Sequence, residues 1–242
     1  MTAPGLTLCG DLTMAGAPLL RGLALSMPAG QWSCLLGPSG IGKSTIGRLI
    51  GGLPGAHGLT GSLRASDGQP LAGRVAMVAQ DGQLLPWADL VGNVTIGARL
   101  RGTRPDLARA RSLLADLGLR GLEGRRPGEL SGGQRQRVAL ARALIEDCPV
   151  VVLDEAFSAL DAATRLTMQD MAARVLAGRT VILITHDPLE AVRMAHCGWL
   201  LEKDATQPLH LPDTPTPRDY RAPAVQRAQA DLLAQLHGMV PA

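Results

Sequence analysis

The chain has 242 residues, and 46% of them are apolar, which is enough to bury an aliphatic core and excludes a disordered chain. Its 24 basic and 21 acidic residues leave a formal net charge of +3, too balanced to indicate a nucleic-acid-binding protein. The aromatic residues, 2% of the chain, are scattered and form no platform for stacking bases.

The spacing of the cysteines and the hydropathy pattern indicate a soluble, cytosolic chain. The cysteines lack metal-ligand or redox spacing, so we expect buried thiols in a reducing compartment: Cys9, Cys34, Cys148 and Cys197. No N-terminal stretch resembles a signal peptide. The longest uncharged stretch, residues 22–42, carries five glycines and two prolines and therefore predicts strands and turns. A partner would have to supply any membrane-spanning part.

The N-terminal eighty residues read as strands around one helix. Weak alternation in the first thirty residues predicts antiparallel strands, broken at Gly16 and Pro28. An apolar run at 32–36 then leads through a glycine-rich loop into a helical pattern, which predicts a strand, a tight loop and a helix. A further short apolar run, 75–79, predicts a buried strand.

The rest of the chain alternates helical and strand patterns. Residues 81–149 have helical spacing with arginines on the opposite face, whereas the runs 150–153 and 181–184 predict further buried strands. We therefore predict an α/β core from residues 1–80 and 150–203, which includes the antiparallel subdomain, and a helical subdomain at 81–149. Residues 204–242 predict a proline-rich linker and one amphipathic helix.

Residues 37–45 fit the phosphate-binding pattern G-x-x-x-x-G-K-[ST] in full. Glycines let successive backbone N–H groups point inward, and the following helix adds the positive end of its dipole. A chance match is the alternative, but the chain has only two lysines against 22 arginines. The predicted nucleotide contacts are Gly37, Pro38, Ser39, Gly40, Ile41, Gly42, Lys43 on the β- and γ-phosphates, Ser44, which can also ligate Mg²⁺, and Thr45.

A pair of acidic residues ends the apolar run at 150–153. Asp154 is the natural carboxylate for Mg²⁺, and Glu155, which points elsewhere, could polarise the attacking water as a general base. The alternative is a strand that ends in solvated acids, and the phosphate-binding loop argues against it.

Residues 130–134, Leu-Ser-Gly-Gly-Gln, match the signature sequence of ABC-type ATPases, and the chain resembles this family from about residue 6 to residue 202. The resemblance implies a P-loop NTPase (RecA-like) core with an N-terminal antiparallel β subdomain and a helical ABC-specific insert. It also implies a head-to-tail homodimer that sandwiches two ATP molecules. The signature of one subunit then closes over the γ-phosphate held by the other, through Ser131, Gly132, Gly133 and Gln134.

Three more positions match motifs of the family in order. Gln80 resembles the Q-loop glutamine, which acts in catalysis and at the metal; Asp161 ends a D-loop, Ser-Ala-Leu-Asp; and His186 resembles the switch histidine that contacts the γ-phosphate. The resemblance thus implies catalytic roles for Lys43, Gln80, Glu155 and His186, nucleotide contact by Asp161, and Mg²⁺ ligation by Ser44, Gln80 and Asp154.

The chain departs from the family at two positions. The family usually stacks adenine on an aromatic residue before the phosphate-binding loop, and Met14 stands there by spacing. Its thioether can contact the base, but more weakly than a ring. Ala156 stands where the family commonly has proline, which changes backbone stiffness but removes no catalytic group.

Residues 80–87 resemble the ATPase subunits of importers for nitrate, sulfonates and taurine, and of related importers for pyrimidine precursors of thiamine. In these proteins the region lies where the membrane subunit docks, so we expect Trp87 at an interface; the alternative is that it belongs to the core.

The leading hypothesis is an ATP- and Mg²⁺-dependent motor subunit that acts peripherally at the cytoplasmic face of the inner membrane. Its expected partners are a second copy, a membrane permease and a periplasmic or lipid-anchored solute-binding protein, with no nucleic acid. The alternatives are a soluble ABC-type ATPase, whose relatives usually carry two nucleotide domains or a long coiled coil, and an exporter subunit.

Overall fold

A computed structural model of the protein describes residues 2–80 and 82–238. It has two sheets and eight α-helices within these ranges. The strands are β1 Leu6–Met14, β2 Ala17–Met27, β3 Trp32–Leu36, β4 His57–Ala65, β5 Val75–Val78, β6 Val150–Asp154, β7 Thr180–Thr185, β8 Cys197–Leu201 and β9 Thr206–Pro208. The helices are α1 Lys43–Ile50, α2 Leu90–Val94, α3 Ile96–Leu100, α4 Leu107–Asp116, α5 Gly132–Ile145, α6 Ala162–Val175, α7 Pro188–Met194 and α8 Pro223–Gly238.

The first sheet is antiparallel, in the order β2-β1-β4. Alternate leucines of β1 and β2 are buried, which confirms the antiparallel strands predicted for the first thirty residues: Leu6, Leu8, Leu12, Leu20, Leu23 and Leu25. We did not predict β4, because its glycines and half-exposed residues carry no clear alternation.

The second sheet contains the predicted buried strands, in the order β5-β6-β7-β3-β8-β9. The first five are parallel, and every residue of β3, β6 and β7 is buried. Helices α5, α6 and α7 cover one face of this sheet, and α1 together with the antiparallel sheet covers the other. The carboxyl ends of parallel strands meet at one edge of a sheet, and ligands bind there in open α/β folds. The loop 37–45, the acidic pair and His186 therefore come to the same edge.

The predicted helical insert contains α2 to α5, of which α2 and α4 pack on α5. Asn93 stabilises the loop before α2, since its amide accepts the Leu85 N–H at 2.7 Å and donates to the Leu85 carbonyl at 3.1 Å. Asp89, Asp106 and Ser131 cap the N-termini of α2, α4 and α5 through their side-chain oxygens.

The C-terminal segment differs from a plain linker. Residues 206–208 form β9, which is the outermost strand of the second sheet and pairs antiparallel with β8. A three-residue edge strand shows no alternation that the sequence could reveal. Further along, the buried Arg218 donates to the carbonyl oxygens of Val192 and Ala195, at 2.6 and 2.7 Å, so the proline-rich stretch is fixed to the end of α7.

The final helix, α8, packs against α7 and buries Val225 and Leu232. Over the ranges given above, the helices are all too short or too polar to cross a bilayer.

Candidate nucleotide-binding and hydrolysis site

The loop between β3 and α1 has a backbone that favours glycine. Gly40 and Gly42 adopt φ values of 82° and 112°, in the left-handed region that side chains disfavour. Gly42 is the N-cap of α1, and no side chain of the described residues caps that terminus. The N–H groups of the first turn of α1 are therefore available to an anion.

Lys43 lies at the base of this loop and is only 4% exposed. Its ammonium donates to the carbonyl oxygens of Gly37 and Pro38, at 2.8 and 2.9 Å. Burial lowers the pKa of Lys43, whereas the nearby carboxylates of Glu155 and Asp154 act in the opposite direction. The loop thus holds a compact positive charge beside its own carbonyl groups.

Asp154 is the last residue of β6, and its carboxylate contacts the first turn of α1. The Ser44 hydroxyl donates to Asp154 Oδ1 at 2.8 Å. Burial of this carboxyl raises its pKa, and the bond from Ser44 partly offsets that effect. A hydroxyl and a carboxylate oxygen side by side fit Mg²⁺, which takes one or two protein oxygens and leaves other positions to water and phosphate.

Glu155 follows directly and has an unusual backbone. Its φ of 48° lies in the left-handed region, which costs about 1–3 kcal/mol for a residue other than glycine. Its N–H donates to the Ile184 carbonyl at 2.9 Å, and its carbonyl accepts the Ser158 hydroxyl at 2.8 Å. These bonds on both sides hold a strained turn that separates the Glu155 side chain from that of Asp154.

The Glu155 side chain meets the histidine of the neighbouring strand. His186 follows β7, and its Nδ1 lies 3.3 Å from Glu155 Oε1. The imidazole is half-exposed, whereas most of the carboxylate is covered. The structure therefore pairs these two predicted residues next to the phosphate-binding loop.

A cavity of about 500 Å³ joins the loop to residues distant in the sequence. Its predicted lining residues are Met14, Ser39, Gly40, Gly42, Lys43, Ser44, Thr45, Gln80 and Glu155. Sequence reasoning missed Leu19, which also lines it and which only the pairing of β1 with β2 brings there. Of the remaining loop residues, Gly37 and Pro38 bind Lys43 through their carbonyls, and Ile41 packs against the core below the antiparallel sheet.

A comparison with known families identifies the family of the chain. The family model described as ABC transporter matches residues 20–158. The chain belongs to the ABC transporter family. The α/β fold with its antiparallel and parallel sheets agrees with a P-loop NTPase core of this family.

Similar curated proteins cover most of the chain. The aliphatic sulfonates import ATP-binding protein SsuB 1 of Rhodococcus jostii is 44% identical over 198 residues, which is 80% of this chain and 78% of that protein. SsuB 2 of Agrobacterium fabrum is 47% identical over 193 residues, 78% of this chain and 72% of its own. SsuB 2 of Streptomyces avermitilis is 40% identical over 239 residues, 98% of this chain and 92% of its own.

The ABC signature forms a second group of predicted residues, away from the cavity. Ser131 caps α5, with its hydroxyl accepting the Gln134 N–H at 3.3 Å and its N–H donating to Gln134 Oε1 at 2.9 Å. A Cβ on Gly133 would lie 2.9 Å from Thr164 Cγ2, so the signature packs closely against the start of α6. Asp161 caps that helix by accepting the Thr164 N–H at 3.0 Å. Neither the signature nor Asp161 lines the cavity formed by the phosphate-binding loop.

Residues 82–89 form a largely exposed loop before α2. Trp87 is 70% exposed, so the alternative that it belongs to the core is wrong. Arg142, on α5, donates to the carbonyl oxygens of Gly82 and Gln83 and so ties this loop to the signature helix. Asp81 lies outside the described residues.

The two departures from the ABC family pattern have different surroundings. None of the described aromatic side chains lines the cavity, and Met14 is 36% exposed at its edge. Ala156, by contrast, is buried beside Phe157 in the core.

Proposed function

We propose that the chain is the ATPase subunit of an ABC importer, with its nucleotide site at the cavity between the loop 37–45, Gln80 and Glu155. One observation carries the proposal: the Lys43 loop, the Ser44–Asp154 contact and the Glu155–His186 contact all lie at one edge of the parallel sheet. Membership of the ABC transporter family supports the same activity.

Ser44 and Asp154 are the residues that would hold Mg²⁺, with Gln80 as a further oxygen donor on the cavity wall. Mg²⁺, when bound, neutralises charge on the β- and γ-phosphate oxygens. The Lys43 ammonium and the N–H groups of the first turn of α1 bind phosphate oxygens by the same charge complementarity.

Glu155 is the group that takes a proton from the attacking water, because its side chain reaches the cavity while Asp154 turns to Ser44. The contact from His186 Nδ1 orients the Glu155 carboxylate. The half-exposed imidazole, in the form that carries a proton on both nitrogens, can also donate to a phosphate oxygen from Nε2.

A second copy of the chain would complete the site. Within one chain the signature residues and Asp161 do not line the cavity, although they share a surface at the starts of α5 and α6. Two copies arranged head to tail would put each signature, with the N-terminus of its helix α5, onto the phosphates bound by the other copy.

The partner in transport would be a membrane permease, at the cytoplasmic face of the inner membrane. The exposed indole of Trp87 and the exposed side chain of Leu53 are apolar groups suited to such a contact. The relatives named as aliphatic sulfonate import proteins point to aliphatic sulfonates as the transported class, delivered by a solute-binding protein.

The substitution Glu155→Gln tests the ATPase site. It should leave ATP binding intact, lower kcat about 10²- to 10⁴-fold, and accumulate an ATP-bound dimer in size-exclusion chromatography. Glu146→Gln is the matched control, because Glu146 pairs with Arg101 away from the cavity. Rapid turnover by Glu155→Gln would remove Glu155 from the role of general base.

The transport assignment is tested with the chain purified together with its permease and solute-binding protein. Aliphatic sulfonates, but not nitrate or pyrimidines, should stimulate ATP hydrolysis and enter proteoliposomes. Active hydrolysis that no sulfonate stimulates would overturn the substrate class while leaving the ATPase proposal in place.

A further inference from the structure

Arg165 connects two loops that flank the hydrolytic pair. It lies in the first turn of α6, where one guanidinium nitrogen, Nη1, donates to Asp187 Oδ2 at 2.9 Å. The other nitrogen, Nη2, donates to the carbonyl oxygen of Leu160 at 3.0 Å. Leu160 immediately precedes Asp161, and Asp187 immediately follows His186. One side chain therefore joins the segment that enters α6 to the segment that carries the histidine.

Asp187 is itself held in place at three points. Its Oδ1 accepts the Leu189 N–H at 2.9 Å and so caps α7, and its own N–H donates to the Thr185 hydroxyl at 3.0 Å. The third point is the ion pair with Arg165. Because Thr185 and Asp187 flank His186, the position of the imidazole against Glu155 depends on these bonds.

The polar contacts between α6 and α7 continue below Arg165. Gln169, one turn further along α6, donates to Glu190 on α7 at 3.4 Å and accepts from Arg193 at 2.8 Å. These three residues are buried, so their hydrogen bonds link α6 to α7 away from solvent. Of these polar side chains on α6, Arg165 is the one that contacts the loops at the carboxyl ends of the strands.

We propose that Arg165 is a positioning residue for ATP hydrolysis, which holds Asp187, and through it His186, in register with Glu155. The inference rests on the proposed ATPase function. A movement of the segment that ends in Asp161 is passed through the Leu160 carbonyl and the guanidinium to Asp187. Arginine suits this role better than lysine, since its planar fork serves two acceptors at once.

Kinetics of Arg165→Met and Arg165→Lys in the full-length chain test the proposal. Arg165→Met should lower kcat about 10- to 100-fold, because a small misplacement of a reacting group has effects of that size, and should leave KM for ATP within about twofold. Arg165→Lys, which keeps one contact, should recover part of kcat. Arg174→Met is the control on the same helix, since Arg174 is exposed and forms no ion pair within the described ranges.

A double-mutant cycle distinguishes a positioning role of Arg165 from a general loss of structure around the site. Asp187→Asn should lower kcat like Arg165→Met, and the double variant should be no worse than either single variant, because both remove the same link. Additive losses, or a kcat of Arg165→Met within twofold of the wild type, would overturn the proposal.

An NMR measurement tests the position of the His186 imidazole without relying on the rate of ATP hydrolysis. With ¹⁵N-labelled histidine and the His186 signal assigned from a His186→Gln variant, Arg165→Met and Asp187→Asn should shift the imidazole resonances of His186 in the same way, and Arg174→Met should not. Unchanged resonances in Arg165→Met would refute the positioning role. A wild-type chain that binds but never hydrolyses ATP would instead refute the proposed function.

Discussion

The imidazole Nδ1 of His186 lies 3.3 Å from the carboxylate Oε1 of Glu155, just beyond the carboxyl ends of two neighbouring parallel strands. Glu155 reaches this position through a left-handed turn that hydrogen bonds hold on both sides. The contact makes the orientation of the Glu155 carboxylate depend on β7 and the loop after it.

Replacement of His186 should impair turnover and not binding. In His186→Ala the Glu155 carboxylate loses its orienting contact, so kcat should fall about 10²-fold or more while the dissociation constant for ATP changes little. Steady-state hydrolysis and fluorescent-nucleotide binding measure the two effects. His210 is exposed and does not line the cavity at the loop 37–45, so His210→Ala should behave as the wild type. Full activity of His186→Ala would contradict the assignment.

An aromatic ring in place of Met14 should strengthen nucleotide binding. Met14 lies at the edge of the cavity next to Leu19, and a ring there would stack on adenine where the thioether makes only a weaker contact. Met14→Tyr should lower the dissociation constant for ATP about 2- to 13-fold, from about 0.5–1.5 kcal/mol of stacking. Met14→Leu, which adds no ring, should leave it unchanged. Isothermal titration calorimetry measures the dissociation constants, and unchanged or weaker binding by Met14→Tyr would show that Met14 does not lie at the adenine face.

Glu190 should make stability depend on pH. Burial raises the pKa of this carboxyl from 4.5 to about 7, with a smaller opposing effect of the bond from Thr185. Between these two values the folded chain keeps a proton that the unfolded chain loses, so the free energy of unfolding should fall as pH rises through this window. The loss is at most about 3 kcal/mol, on the order of 1.4 kcal/mol per pH unit.

Urea unfolding of the wild type and of Glu190→Gln between pH 5 and 8 checks this pH dependence. The amide carries no proton in this range, so the variant should show a flatter profile and gain on the wild type as the pH rises. Parallel profiles for the two proteins would mean that the Glu190 carboxyl titrates alike in the folded and unfolded chains.

Loss of Arg218 should destabilise the chain. Its guanidinium binds the carbonyl oxygens of Val192, Ala195 and Pro212, and Arg218→Met would leave these acceptors without their donor. We expect a loss of about 2–4 kcal/mol, from the penalties for unsatisfied buried polar groups. Arg221→Met removes an exposed pair with Asp219 and should have no measurable effect. Equal unfolding midpoints for both variants would show that the hydrogen bonds of Arg218 add no measurable stability.

Contiguous motifs were predictable from the sequence because their chemistry is local. A cradle of N–H groups needs only successive residues with permitted φ values, and the loop 37–45 supplies them. The cap of α5 likewise needs only Ser131 and Gln134 at their spacing. Buried strands such as β3, β6 and β7 were predictable because strands covered on both faces are nearly continuous apolar runs.

The sequence by itself therefore determined the family, the glycine-rich loop 37–45 and the buried strands of the sheet. The tertiary structure decided which residues meet across long separations: Leu19 beside Gly42, Glu155 beside His186, Arg165 between Leu160 and Asp187, and Arg218 against the end of α7. Each of these contacts depends on the order of strands in a sheet or the packing of a side chain against a distant backbone. Residue spacing does not predict the strand order or these long-range contacts, because both arise from the packing of the whole chain.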